Sequence, residues 1–235
     1  MMNDFEKFAV SNGIGTNKLN EYNKYTIKNT NHAVKNGIIN PTILEERTMN
    51  VIGLDIFSRL QFDRILFLGT GIDSDVANII NAQLLYLNST GDDDIKMFIN
   101  SGGGSVVDGL AIYDIMNFIT PDVSTYCLGM AASMASVLIS SGTRGKRYSL
   151  PNGSIMVHQV SSGTGRVQNS DLQIAARESQ KWQNRIYNIL SYNTGKTFAE
   201  IEQDADRDHW LMPEEALPNV YGEYGLIDEI ITKQK

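Results

Sequence analysis

From residue 123 to residue 143 the chain carries no charged side chain, and its pattern changes character at Gly129. Residues 123–128 read as a buried strand, and the small residues that follow suit a tightly packed helix. A run this long without charge belongs in a protein interior. Its serines, threonines and glycines are too numerous for a membrane span. A buried strand feeding directly into a helix is the unit from which parallel sheets are built, so the segment already favours an α/β fold.

The same succession recurs on both sides. Residues 64–68 read as a strand and 73–87 as a helix, with Val76, Ile79, Ile80, Gln83, Leu84 and Leu87 at helical spacing. A second strand at 95–99 leads through Gly102-Gly103-Gly104 into a helix expected to turn Val107, Leu110, Ala111, Ile115, Phe118 and Ile119 inward. Two short extended pieces, 145–148 and 155–157, flank the turn Pro151-Asn152-Gly153. The longest helix is predicted over 170–192, from an Asn169-Ser170-Asp171 cap to a stop before Thr194-Gly195. Its face carries Leu172, Ala175, Ala176, Ser179, Trp182, Ile186, Ile189 and Leu190. Thr197 and Glu200 form a capping box for a shorter helix, which leaves Asp208 just past its end, and Pro213 opens another. Strand–helix units joined by short connections imply an α/β fold with a mainly parallel sheet.

A chain of 235 residues is long enough for one substantial core. Residues 1–40 are rich in Asn, Lys and Thr and bury too little apolar area to offset their own ordering entropy, so they read as an N-terminal extension or a processed leader. Residues 41–235 then form the domain, starting with a strand or loop at 42–47 and a short amphipathic helix at 55–60. Asp4, Glu6 and Lys7 interrupt any secretory signal, which makes the cytoplasm the expected location. A net charge of −7 argues against nucleic acid as a broad partner. Cys127 is the only cysteine, which excludes an intrachain disulfide and a thiolate metal cluster. Asp92-Asp93-Asp94 lacks the alternating oxygen ligands of a calcium loop and reads as a solvated turn.

Three residues suggest chemistry. Ser133 lies where the uncharged strand gives way to the helix, a position that exposes a hydroxyl beside the Met134 amide. His158 follows a short apolar strand, and Asp208 lies in Asp206-Arg207-Asp208. Serine, histidine and aspartate form acyl-transfer triads in several chain orders on unrelated folds. Gly102-Gly103-Gly104 matches neither the phosphate-loop pattern nor the dinucleotide fingerprint. It is open to three readings: a tight turn, an oxyanion donor, or a phosphate or coenzyme contact. Two strand-to-helix junctions on adjacent parallel strands would bring the Gly103 and Met134 amides to one sheet edge, where open α/β folds bind ligands. His209 adjoins Asp208, but neighbours on a strand point to opposite faces, which places it poorly as that carboxylate's partner. No pair among His158, His209 and Asp208 has a standard zinc spacing. Residues 160–167 fit either an exposed edge strand, able to pair with a peptide or another subunit, or a loop.

Over roughly residues 45–233 the chain closely resembles the ClpP family, the proteolytic subunits of the caseinolytic Clp protease. Gly129-Met130-Ala131-Ala132-Ser133-Met134 is similar to the family's serine signature. Residues 150–159, Leu-Pro-Asn-Gly-Ser-Ile-Met-Val-His-Gln, are similar to its histidine signature, and residues 201–208 to the segment that ends in its aspartate. The matches fall in family order. The resemblance implies a ClpP/crotonase-like fold of repeated β-β-α units with the long helix as a handle between rings. It implies Ser133 as nucleophile, His158 as general base and then acid, Asp208 as orienting carboxylate, and the amides of Gly103 and Met134 as the oxyanion hole. It further implies two stacked heptameric rings, unfolded polypeptide substrates and a Clp-family AAA+ unfoldase. No metal or organic cofactor is implied, since ATP is used by that partner.

Several positions depart from the family pattern. Gly102 stands where proline is common, Gln159-Val160 follows the histidine, the 161–169 loop is about one residue longer, and 217–222 resembles a small insertion. Residues 1–40 are longer than a typical family leader. These departures keep open a catalytically weak ring subunit that completes a mixed assembly, and glycine-rich strand ends also suit a crotonase-like acyl-CoA enzyme.

Overall fold

The computed structural model describes residues 42–47, 50–161, 163, 165, 168–218 and 224–233. The expectations for 1–40, for 219–222 and for Ser162, Thr164, Arg166 and Val167 lie outside these residues. The chain divides into two units, 1–63 and 64–235. In the first, β1 (Thr42–Arg47) and β2 (Asn50–Asp55) form an antiparallel pair in which Thr42 faces Asp55 and Arg47 faces Asn50. Asp55 then caps α1 (Ile56–Phe62), its carboxylate accepting from the Ser58 amide at 3.0 Å.

The second unit has the alternation expected from the apolar runs. Its sheet follows the order β3 (Ile65–Leu68), β4 (Ile95–Ser101), β5 (Val123–Ala132), β6 (Arg147–Ser149) and β9 (Glu229–Ile230), with every neighbouring pair parallel. Helices α2 (Ser74–Thr90), α3 (Val106–Phe118) and α4 (Met134–Ser140) make the crossovers between successive strands. Leu66, Leu68, Met97, Ile99 and Cys127 point from the sheet into the core, where Leu84, Ile112, Leu138 and Ile139 meet them. Each such side chain contributes roughly 1.5–3 kcal/mol by leaving water. The opposite sheet face carries Phe67, Phe98, Tyr126 and Tyr148 in register across four strands, with Phe98 stacked on Tyr126 at 4.5 Å between centroids.

Strand β5 runs longer than its sequence suggests. The glycine read as the start of a helix adopts φ 62°, which bends the strand and lets it continue to Ala132. The first half of β5 pairs with β6, and Met130–Ala132 pair with β7 (Ser154–Val157). One long strand therefore serves two partners, in the manner of a β-β-α repeat. β7 in turn pairs antiparallel with β8 (His209–Leu211).

Helix α3 is rotated from the expected face. Leu110, Ile112, Met116 and Ile119 are buried, whereas Val107 is 56% and Phe118 75% exposed, and Ala111 is exposed too. The helix is apolar nearly all round, so its sequence gives little directional signal and packing decides. Gly109 shows what decided it: a β-carbon there would lie 2.2 Å from Cγ of Met134. In α2 the same ambiguity leaves Ile79 exposed while Ala77, Ile80, Leu84 and Leu87 are buried.

The long helix α5 (Asn169–Thr194) starts after Gln168, with no side-chain cap, and stops at Gly195 in the left-handed region. Its buried residues, Ile186, Tyr187, Ile189 and Leu190, all lie in the second half, and the expected inward face at Leu172 and Ala176 is exposed. Helix α6 (Phe198–Asp204) opens with the Thr197–Glu200 capping box, and α7 (Pro213–Ala216) begins at its proline. Among residues 160, 161, 163 and 165 none belongs to a strand, which corrects the edge-strand reading there. No helix among the described residues is long and apolar enough to cross a membrane.

Candidate active site

The carboxyl edge of the parallel sheet gathers the residues singled out in the sequence. Ser133 occupies the single position between β5 and α4, with φ 56° and ψ −125°. Such a conformation costs a non-glycine residue about 1–3 kcal/mol and survives only where its surroundings fix it. Two contacts do so. The Ser133 amide donates to the Met156 carbonyl at 2.8 Å, continuing the pairing with β7, and the Ser133 carbonyl accepts from the Ser136 amide at 2.9 Å. The turn between strand and helix thereby presents the hydroxyl outward.

His158 and Asp208 meet by strand register. Val157 pairs with His209 in the antiparallel β7–β8 ladder, so the next positions outward, His158 and Asp208, stand opposite each other. Nδ1 of His158 lies 3.2 Å from Oδ1 of Asp208, and Nε2 lies 2.8 Å from Oγ of Ser133. A carboxylate only accepts, so the proton belongs on Nδ1 and leaves Nε2 free to accept from the serine hydroxyl. The Asp208 side chain is 62% exposed. The loop that carries it is tied down by Gln159, whose Nε2 donates to the Asp206 carbonyl at 2.6 Å. His209 turns away toward the Tyr224 ring, 5.6 Å between centroids. Arg207 donates to the Asp206 carbonyl at 3.0 Å.

The two residues expected to supply the oxyanion donors pack against each other. Met134 is the first residue of α4, so its amide has no helical carbonyl to donate to. Gly103 packs on the same turn: a β-carbon at Gly103 would lie 2.7 Å from Cβ of Ser133 and 2.8 Å from the Met134 nitrogen. Its φ of +86° is a second reason for glycine here. The Gly103 carbonyl accepts from the Ile72 amide at 2.8 Å, while its own amide donates to Oγ of Ser101 at 3.1 Å. A cleft beside Ser133 is lined by Val106, Val137, Ile186 and Leu190 together with His158 and Gln159, a surface of mixed polarity. The arrangement suits nucleophilic acyl transfer.

Sequence reasoning overlooked Ser101 and Gln159 as supports of the site. A serine two residues before a glycine amide is a recognisable hydroxyl-turn pattern and could have identified the first. The second depends on a contact across 47 residues and left no local signal.

The family model described as Clp protease matches residues 48–234. The ATP-dependent Clp protease proteolytic subunit of Porphyromonas gingivalis is 47% identical over 236 aligned residues, covering 100% of both chains. The protein of the same name from Bacteroides fragilis strain YCH46 is 47% identical over 235 residues, covering 99% of this chain and 100% of the relative. That from Bacteroides thetaiotaomicron is 50% identical over 199 residues, covering 84% of this chain and 88% of the relative. The first alignment takes in residues 1–40, so the segment expected to exceed the usual leader has a counterpart in that relative.

Proposed function

The chain belongs to the Clp protease family and is a serine peptidase of that family, and we propose that Ser133, His158 and Asp208 are the triad with which it cuts peptide bonds. The observation that carries this assignment is the unbroken relay from Oγ of Ser133 through the imidazole to Asp208, at 2.8 and 3.2 Å. Nε2 of His158 takes the hydroxyl proton as Ser133 attacks the peptide carbonyl. Asp208 steadies the imidazolium that results. Negative charge grows on the carbonyl oxygen opposite the Met134 and Gly103 amides, which stabilise it more than they stabilise the neutral carbonyl. The imidazolium then protonates the leaving amine, and water repeats the steps to release the acyl group.

The subunit acts within a ring assembly fed by a Clp-type AAA+ unfoldase. In this proposal the assembly is two stacked heptameric rings in the cytoplasm, taking unfolded polypeptides from a partner that consumes ATP. The half-buried aromatic row of Phe98, Tyr126 and Tyr148 offers an apolar face of the kind a partner protein covers.

The test is Ser133→Ala in the full-length protein. Hydrolysis of a short fluorogenic peptide and labelling by a fluorophosphonate should both vanish, while native mass stays unchanged. Labelling that persists at another serine would remove Ser133 from the role.

A further inference from the structure

We propose that Ser101 is a positioning residue for the oxyanion hole, its buried hydroxyl holding the Gly103 amide at the Ser133 turn until the acyl oxygen takes that amide over. The inference rests on the triad assignment and extends it.

The loop from β4 to α3 reads Gly102-Gly103-Gly104, three residues with no side chain to fix a conformation. Its second half is anchored nonetheless. Ile72 bridges Gly104: the Ile72 amide donates to the Gly103 carbonyl at 2.8 Å and the Ser105 amide donates to the Ile72 carbonyl at 2.8 Å. A β-carbon at Gly104 would lie 2.2 Å from the Ile72 carbonyl oxygen, so the two backbones are in direct contact. The first half has a different support. The peptide joining Gly102 to Gly103 is held by the bond from the Gly103 amide to Oγ of Ser101, and Ser101 is itself 2% exposed at the end of β4. This peptide lies against the nucleophile's turn, since a β-carbon built on Gly103 would fall 2.7 Å from Cβ of Ser133 and 2.8 Å from the Met134 nitrogen.

A neutral hydroxyl is a suitable placeholder. By holding the Gly102–Gly103 peptide in one arrangement before substrate arrives, Ser101 spares a loop without side chains the ordering it would otherwise undergo in the reaction step. An oxyanion is the stronger acceptor, since hydrogen bonds to a charged oxygen are about twice as strong as neutral ones. The amide therefore passes to the substrate as charge develops. The exchange favours the transition state over the bound peptide, whose carbonyl carries no full charge.

Without the hydroxyl the glycine loop must order during the reaction step, and this loss should outweigh the relief of an acceptor that the oxyanion no longer displaces, so kcat should fall while KM stays nearly unchanged. Ser101→Ala in the full-length assembled protein is expected to lose about tenfold in kcat on a fluorogenic peptide, and a peptide aldehyde that forms a tetrahedral adduct should weaken by a similar factor. Ser101→Thr, which retains the hydroxyl, should keep activity. Gly102 gives an independent handle. Nothing lies within 4 Å of a β-carbon built there, and a proline at that position would restrict the backbone without using a hydroxyl. Adding Gly102→Pro to Ser101→Ala should restore most of the lost kcat. Should Ser101→Ala fail to assemble, Ser101→Cys keeps the volume with a weaker acceptor and should show the same selective loss. Unchanged or raised kcat in the Ala or Cys variant would overturn the proposal, as would equal losses in Thr and Ala or a proline that restores nothing. Fluorophosphonate labelling separates this failure from that of the triad: modification of Ser133 in the unsubstituted protein supports the triad whatever Ser101 does, and its absence condemns the triad itself.

Discussion

Ser133 has an uncommon backbone for a side chain of its size. Among the described residues only Arg64 and Ser133 combine a side chain with positive φ. Arg64 has a structural reason, since its guanidinium donates to the carbonyls of Leu87 at 3.1 Å, Gly91 at 3.0 Å and Asp93 at 2.9 Å and closes the end of α2. Ser133 is held by the backbone bonds to Met156 and Ser136 alone, with no side-chain anchor of the Arg64 kind to the surrounding carbonyls, and its ψ of −125° lies outside the left-handed helical well. The strain is retained because it projects the hydroxyl toward His158. Stability and activity should therefore oppose each other at this position. Ser133→Gly and Ser133→Ala should both be inactive, yet the glycine variant should be the more stable by about 1 kcal/mol, because glycine tolerates positive φ without steric cost. Chemical denaturation of the two inactive variants side by side checks this. An alanine variant as stable as the glycine one would mean that the turn is unstrained.

Where segments meet, an ion pair between buried Arg147 and half-buried Asp228 does much of the joining. The Arg147 guanidinium at the start of β6 grips Asp228 with Nε at 2.9 Å, and the Asp228 carboxylate also accepts from the Gly145 amide at 2.8 Å and the Arg147 amide at 3.0 Å. The second arm of Arg147 donates to the carbonyls of Ser140 at 3.3 Å, Asn193 at 2.9 Å and Gly225 at 3.1 Å, so one side chain ties the ends of α4 and α5 to the C-terminal segment. Burial alone would raise the Asp228 carboxyl, but the hydrogen bonds and charge of Arg147 outweigh it and leave the group below its ordinary value. A carboxyl depressed in this way stabilises the fold above its unfolded pKa of about 4, and that stability is lost as pH falls through the lower folded value. Asp228→Asn should cost about 3–5 kcal/mol at pH 7 by leaving Arg147 unpaired. The deficit should shrink below pH 4, which urea midpoints at pH 7, 4 and 3 would reveal; a deficit independent of pH would contradict the account. At this scale the sequence was informative unevenly. The strands at 65–68 and 95–101 and the Thr197 capping box were legible because each is set by local pattern. The face of α3 and the far end of β5 were not, because Met134 against Gly109 and β7 against Met130–Ala132 decide them from a distance. Ser133, His158 and Asp208, the proposed triad, stood out in sequence, whereas Gln159 and Arg147 act through contacts between distant segments.

Helix α5 bears on the molecule as a whole, because its two halves face different surroundings. Ile186 and Leu190 in the second half line the cleft beside Ser133, whereas Leu172 and Ile174 in the first half are 46% and 50% exposed. Those two side chains lie on different faces of the helix, so a single neighbour would leave one of them wet. A helix this polar elsewhere gains most of its stability from tertiary packing, and among the described residues no side chain of its first half is buried. In the double-ring assembly proposed above, contact with another subunit supplies that packing. The same helix then links the contact between subunits to the wall of the active-site cleft. Leu172→Glu should place a charge in that contact, reduce the native mass from two rings to one, and lower peptide hydrolysis at least tenfold while circular dichroism remains unchanged. Mass and activity should fall together, because loosening the first half of α5 releases the second half from the cleft. A variant that keeps the double-ring mass at full activity would show that Leu172 stands outside the contact, and one that halves in mass with full activity would separate assembly from catalysis.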